Sequence, residues 1–187
     1  MKTEKRKQES KKKRIFAKKV YWDLLDACEQ NINDLVKCAK LLLENKLYSK
    51  SFLMSYLTLE ELGKRLAICD YITDIISDEE FKKIFRDHHL KMAYLHNQCE
   101  VTKKDDGTIE SEATIIYDIK KYQDFFIEKQ KATYVDFNIE TEEILNPLNA
   151  ITIDDAEKIL NHVFRIISNT NYYEEASERI GTKAFLK

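Results

Sequence analysis

The sequence predicts an all-α protein, a bundle of four to six helices with one short extended or hairpin insertion. Three observations carry this expectation. The chain of 187 residues holds only three Gly and one Pro, too few for a turn-rich β protein. Apolar residues recur at helical spacing through most of its length. Capping and turn residues cut that pattern into pieces of helical length. A chain of this size makes one domain with a substantial core.

Residues 1–14 read as a flexible basic arm and residues 15–187 as a single helical domain. Residues 1–19 hold ten Lys/Arg against Glu4 and Glu9, a charge of +8, so the formal −2 of the whole chain leaves −10 for the remainder. Such an arm attracts phosphate by counterion release. It has no aromatic residue before Phe16 on which a base could stack.

The first helix is expected from Phe16 to Asn45, through Val20, Leu24, Cys28, Ile32, Leu35, Ala39 and Leu42. Asn45-Lys46 marks its end. The second, from about 46–50 to Ser77, is apolar on most sides and therefore central. Glu60, Glu61 and Lys64 interrupt its apolar stripe. Burying charge is costly unless the charges are paired, and Glu60–Lys64 and Glu61–Arg65 have the favourable i,i+4 order. Ser77 followed by Asp78, Glu79 and Glu80 is a helix start, and a third helix is expected from Asp78 to Cys99. His88 falls inside its stripe, with His89 and Lys91 on the shoulders. Val101–Ser111, with Asp106-Gly107, reads as a loop or short hairpin. A fourth helix is expected from Glu112 to Lys131. Residues 132–137 read as an extended segment laid on the bundle, and Glu140–Leu145 as a helical turn stopped before Pro147. Thr152 or Asp154 caps the last helix, which reaches Arg179 and stops at Gly181.

Cys28, Cys38, Cys69 and Cys99 form no C-x-x-C pair, which fits reduced thiols in the cytoplasm. No segment resembles a signal peptide, and no apolar run is long enough to span a bilayer. No membrane partner is expected.

The candidate site joins Glu60, Glu61, Lys64 and Arg65 of the second helix to Arg86, His88, His89 and Lys91 of the third. Helices joined by a short turn are antiparallel neighbours. Lys64 and His89 lie nearly equally far from the turn at Ser77, so at about 1.5 Å rise per residue they reach the same height. A histidine there can move a proton, and an Arg or Lys can stabilise a pentavalent phosphate. Metal-independent RNA cleavage needs those parts, because the 2′-hydroxyl supplies the nucleophile. The E-x-x-H spacing of carboxylate-bridged metal bundles is absent, and His88 and His89 point about 100° apart on a helix, so they do not share one metal. The reading calls for no metal and no cofactor. The competing reading of either histidine is a core residue bonded to a carbonyl or carboxylate.

LTLEELGKRL, carrying Glu60, Glu61, Gly63 and Lys64, then FRDHHLKM, then KATYVDF over Lys131–Phe137 with Pro147 after it, resemble in order and spacing the AbiV family of abortive-infection proteins. The resemblance covers roughly residues 35–165. It implies a helical domain of the HEPN type, a homodimer, a phage-encoded activator protein as trigger, and an action on RNA or the ribosome that shuts down translation. The enzymatic form of that action is a metal-independent ribonuclease. The resemblance adds Lys131, Tyr134 and Asp136 as residues that complete or brace the site. The usual HEPN ribonuclease motif places His four to six residues after Arg. This chain departs from it: His88 and His89 follow Arg86 too closely, His96 too distantly, and His162 has no Arg in range before it. The alternative is a non-catalytic helical module that sequesters a protein or nucleic-acid partner.

Overall fold

A computed structural model of the chain describes residues 2–72, 76–95, 98–103, 109–114 and 123–179, with side chains over 19–72, 76–95 and 123–168. The described elements are α1 (Lys2–Glu44), α2 (Tyr48–Ile72), α3 (Asp78–Arg86), α4 (His88–Tyr94), β1 (Gln98–Lys103), β2 (Ile109–Thr114), α5 (Gln123–Thr133), β3 (Asp136–Asn138), β4 (Glu143–Leu145), α6 (Pro147–Ala150) and α7 (Ile153–Arg179). The fold is an all-α bundle carrying two small antiparallel hairpins. The backbone of α1 begins with the basic segment, from Lys2.

The predicted end of α1 at Asn45-Lys46 has a clear cause. Lys46 takes φ 61°. Its N–H reaches the Leu43 carbonyl at 2.9 Å, and the Leu47 N–H reaches Leu42 at 2.8 Å. These two bonds cap the orphan carbonyls in a Schellman motif. The chain then reverses into α2, which packs against every other described helix. One core cluster joins Phe52, Tyr56, Leu59 and Leu62 of α2 to Met92, Ile159 and Val163. A second joins Ala67, Ile68 and Ile72 to Leu25, Phe81, Ile84 and Tyr94. Both run along α2, so this helix is the centre of the fold, as its all-round apolarity predicts.

Ser77 caps α3 as expected, in a capping box with Glu80. The single helix predicted over 78–99 is instead broken at Asp87. That carboxylate accepts from the backbone N–H of His89 at 2.8 Å and of Leu90 at 3.2 Å. An Asp bonding its own downstream backbone competes with helix continuation, so α4 starts afresh. Cys99, expected in the same helix, lies in β1.

The short hairpin is present, with Val101 opposite Ser111 and Lys103 opposite Ile109. Its second strand takes Glu112–Thr114, so the expected helix does not begin at Glu112; its described part is Gln123–Thr133. Ile115, Ile116, Ile119 and Tyr122 lie outside the described residues, as do Ile75, His96 and Gly181.

Residues 140–145 are not a helical turn. Asn138 Oδ1 accepts from the N–H of Glu140 and Thr141, Glu142 takes φ 57°, and the chain folds back as β4 against β3. Every residue of both strands is exposed, so this segment stands off the bundle rather than lying on it. Pro147 opens α6 at its first turn, where a missing N–H costs nothing. Thr152 rather than Asp154 caps α7, exchanging hydrogen bonds with Asp155. Among the described residues no helix is long and apolar enough to cross a membrane.

The left-handed Lys46 yields a stability test. Lys46→Gly is expected to raise unfolding stability in urea by about 0.5–1 kcal/mol, because it removes a Cβ clash while the exposed side chain contributes little packing.

Candidate functional site

The site begins with a close approach of two backbones. A Cβ at Gly63 would collide with the Lys91 carbonyl oxygen and sit 2.7 Å from its carbon. Only glycine lets α4 lie this near α2. Gly63 and Lys91 are equally far in sequence from Ser77, so the two arms of the hairpin meet at the height the sequence predicts.

That approach sets α4 over Glu60. Glu60 Oε2 and His88 Nδ1 are 2.7 Å apart; the Glu60 side chain is 6% exposed and that of His88 is 61% exposed. An ionised carboxylate only accepts, so the acceptor chemistry assigns the Nδ1 proton to the bond with Glu60. Neutral His88 then carries its lone pair on Nε2. A buried carboxylate orienting an exposed imidazole is a general-base arrangement.

Around this pair the charges are matched differently from the expected i,i+4 pattern. Glu60 pairs with His88 rather than Lys64. Lys64 Nζ bonds the carboxylate of Glu61. Arg65 binds Glu29 of α1 through Nε at 3.1 Å and Nη2 at 3.0 Å, tying α1 to α2. Lys91 is buried, and burial lowers its pKa; Lys64 adds to this, while Glu60, Glu61 and Asp87 oppose it. Burial pushes the Cys28 thiol up to about 11, helped by the nearby carboxylate of Glu61. Burial, with Glu60 second, also raises the Tyr56 phenol. Among the described residues no three His, Cys, Asp or Glu side chains converge as a metal-binding set.

His88 opens onto a cleft of about 950 Å³ lined by Glu79, Lys82, Lys83, Arg86, Asp87, His88, His89, Phe126, Lys129 and Gln130. Four cations face two carboxylates, and Asp87 is already engaged in capping α4. The capping box at Ser77 sets the phase of α3, so Lys82, Lys83 and Arg86 share one side of it. From α5, Lys129 Nζ lies 5.6 Å from the ring centres of Phe126 and Tyr56. The cleft is suited to a polyanion.

The family model for HEPN AbiV proteins matches residues 20–168, most of the chain. The chain belongs to the AbiV family. Its role lies in abortive-infection defence, on a helical domain of the HEPN type. No curated protein and no solved structure shows significant similarity to this AbiV chain.

In this AbiV protein Arg86, His88 and His89 come together in the cleft, with Glu60 behind them. Glu61, Lys64 and Lys91 form the charged layer under α4. His89 does not face Lys64; its ring lies 4.5 Å from that of Phe126. Lys131 pairs with Glu128 at 2.9 Å, while Tyr134 and Asp136 are exposed, and none of the three lines the cleft. His162 accepts from Arg165 Nη2 through Nδ1 at 2.7 Å and is likewise outside the cleft lining. Sequence reading missed Lys82, Lys83, Phe126, Lys129 and Glu29. The first two were signalled by their spacing from Arg86, and Lys129 by its position one helical turn after Phe126. Nothing local marks Glu29 as the partner of Arg65.

Gly63→Ala is expected to destabilise the protein by about 2 kcal/mol or more in chemical unfolding, although alanine is the better helix former by about 1 kcal/mol. A neutral or stabilising result would show that α4 can move away freely. Cys28 is expected to resist iodoacetamide at pH 8 while exposed Cys38 reacts, because a buried thiol with a pKa near 11 holds little thiolate. Mass spectrometry of the alkylated native protein reads both sites.

Proposed function

We propose that this AbiV protein is an antiphage effector that shuts down translation when a phage product triggers it, and that it does so by cleaving RNA held in the basic cleft. The observation that carries the proposal is the Glu60–His88 pair at 2.7 Å, opening onto that cleft. In this reading His88 Nε2 takes the proton of a ribose 2′-hydroxyl. The 2′-oxygen attacks the adjacent phosphorus to form a 2′,3′-cyclic phosphate, the P–O5′ bond breaks, and the leaving 5′-oxygen takes a proton from water. Arg86, with Lys82 and Lys83, balances charge on the phosphorane. No metal is required for these steps. The Arg-to-His spacing of HEPN ribonucleases is replaced by a carboxylate–histidine pair built across two helices.

The second reading, sequestration of a partner, draws on the apolar residues left open around β3 and β4: Tyr134, Val135, Phe137, Ile139, Ile144 and Leu148. A patch of this kind marks an interaction surface. It also supports a homodimer, since other large aromatics are engaged within the chain: Tyr21 packs with Tyr71 and Phe81, and Phe125 and Phe126 pack on the core.

Purified His88→Gln and Glu60→Gln proteins test the first reading on total RNA with infected-cell extract. Cleavage is expected to fall by about 10²-fold or more for His88→Gln, the usual worth of a general base, with the melting temperature nearly unchanged. A folded His88→Gln protein that still protects cells fully contradicts catalysis. If Phe137→Ser/Ile144→Ser alone abolishes protection, the sequestration reading is supported instead.

A further inference from the structure

We propose that the aromatic corner of the cleft, His89 with Phe126, is a stacking subsite for an unpaired nucleobase, so that the cleft takes single-stranded rather than duplex RNA. The proposal rests on the reading of the cleft as an RNA site, and it adds what part of the RNA is gripped.

A site for phosphate alone needs cations. This cleft has them on one wall, where α3 supplies Lys82, Lys83 and Arg86. Its other wall is different. Phe126 is packed on the core cluster along one side yet still lines the cleft, so it is a fixed platform. The exposed His89 ring lies against it, 4.5 Å between centres and tilted by 49°. Lys129 places its ammonium 5.6 Å from the Phe126 centre. Gln130 brings an amide, both donor and acceptor, to the same wall. Rings with an adjacent cation and an amide suit the π-face and polar edge of a base.

The two walls divide the labour. A strand lying between them sets its phosphates on α3 and turns a base toward α5, with His88 between the two. Duplex RNA keeps its bases stacked inside and offers only phosphates and 2′-hydroxyls. In this arrangement His89 is a positioning residue rather than a second proton carrier. Holding a base fixes the ribose attached to it, and with it the 2′-hydroxyl that His88 must reach.

The test is equilibrium binding of the full chain at fixed low salt. The probes are a fluorescent tetramer of riboadenylate, a tetramer of abasic ribose phosphates with the same charge, and a 12-base-pair RNA duplex. The riboadenylate is expected to bind at least about fivefold more tightly than the abasic tetramer, the low end of what one stacked base contributes. Phe126→Leu and His89→Gln are expected to erase that ratio while leaving abasic binding nearly unchanged. The abasic comparison uses unaltered protein, so it stands even where Phe126→Leu fails to fold. Equal binding of the base-bearing and abasic tetramers, or tighter binding of the duplex per phosphate, overturns the subsite while leaving a phosphate-binding cleft. Binding of none of the three overturns the RNA reading and the subsite together.

Discussion

The backbone of Lys91 occupies the space where any residue other than glycine at position 63 would place its side chain. The organisation of the site depends on that contact. It draws a short helix, α4, onto the middle of the central helix, over residues that cannot lie in a core unpaired. Glu60 is buried because α4 covers it, and His88 sits at the start of α4 where it can meet that carboxylate. Remove the close approach and the same residues become a solvated patch of charge.

The break at Asp87 is the second part of the device. A continuous helix from Asp78 to Cys99 would fix His88 and Arg86 to one rigid phase. By capping a new helix with its own side chain, Asp87 lets α3 present Lys82, Lys83 and Arg86 to the cleft while α4 turns His88 back toward Glu60. The charged layer below is held by two links: Lys64 to Glu61 and Arg65 to Glu29. Each places a partner beside a polar group that burial would otherwise penalise.

The helical class, the centrality of α2, the cap at Ser77 and the end of α1 were legible in the sequence, because periodicity and capping are local and repeat over many residues; the break at Asp87 and the strand over Glu112–Thr114 were not. Also legible was the presence of titratable groups in faces that should be core, which is why Glu60, His88 and Lys91 stood out as candidates. The partners within the site were not legible. Spacing along one helix offered Lys64 for Glu60 and Arg65 for Glu61, but tertiary packing gave Glu60 a partner from α4 and Arg65 one from α1, and Lys64 closed on Glu61 instead. The role of Gly63 is invisible in the sequence, since a glycine inside a helix declares its purpose only when the neighbour that needs the space is known. The hairpin at 136–145 was misread because Glu142 carries no sequence mark of its left-handed backbone.

The most direct test of this account is the tautomer of His88, read by long-range 1H–15N correlation NMR of the neutral imidazole. The proton is expected to reside on Nδ1, bonded to Glu60, and Glu60→Gln is expected to shift both ring nitrogens and weaken that preference. A neutral His88 with its proton on Nε2, or a spectrum that Glu60→Gln leaves unchanged, would contradict it.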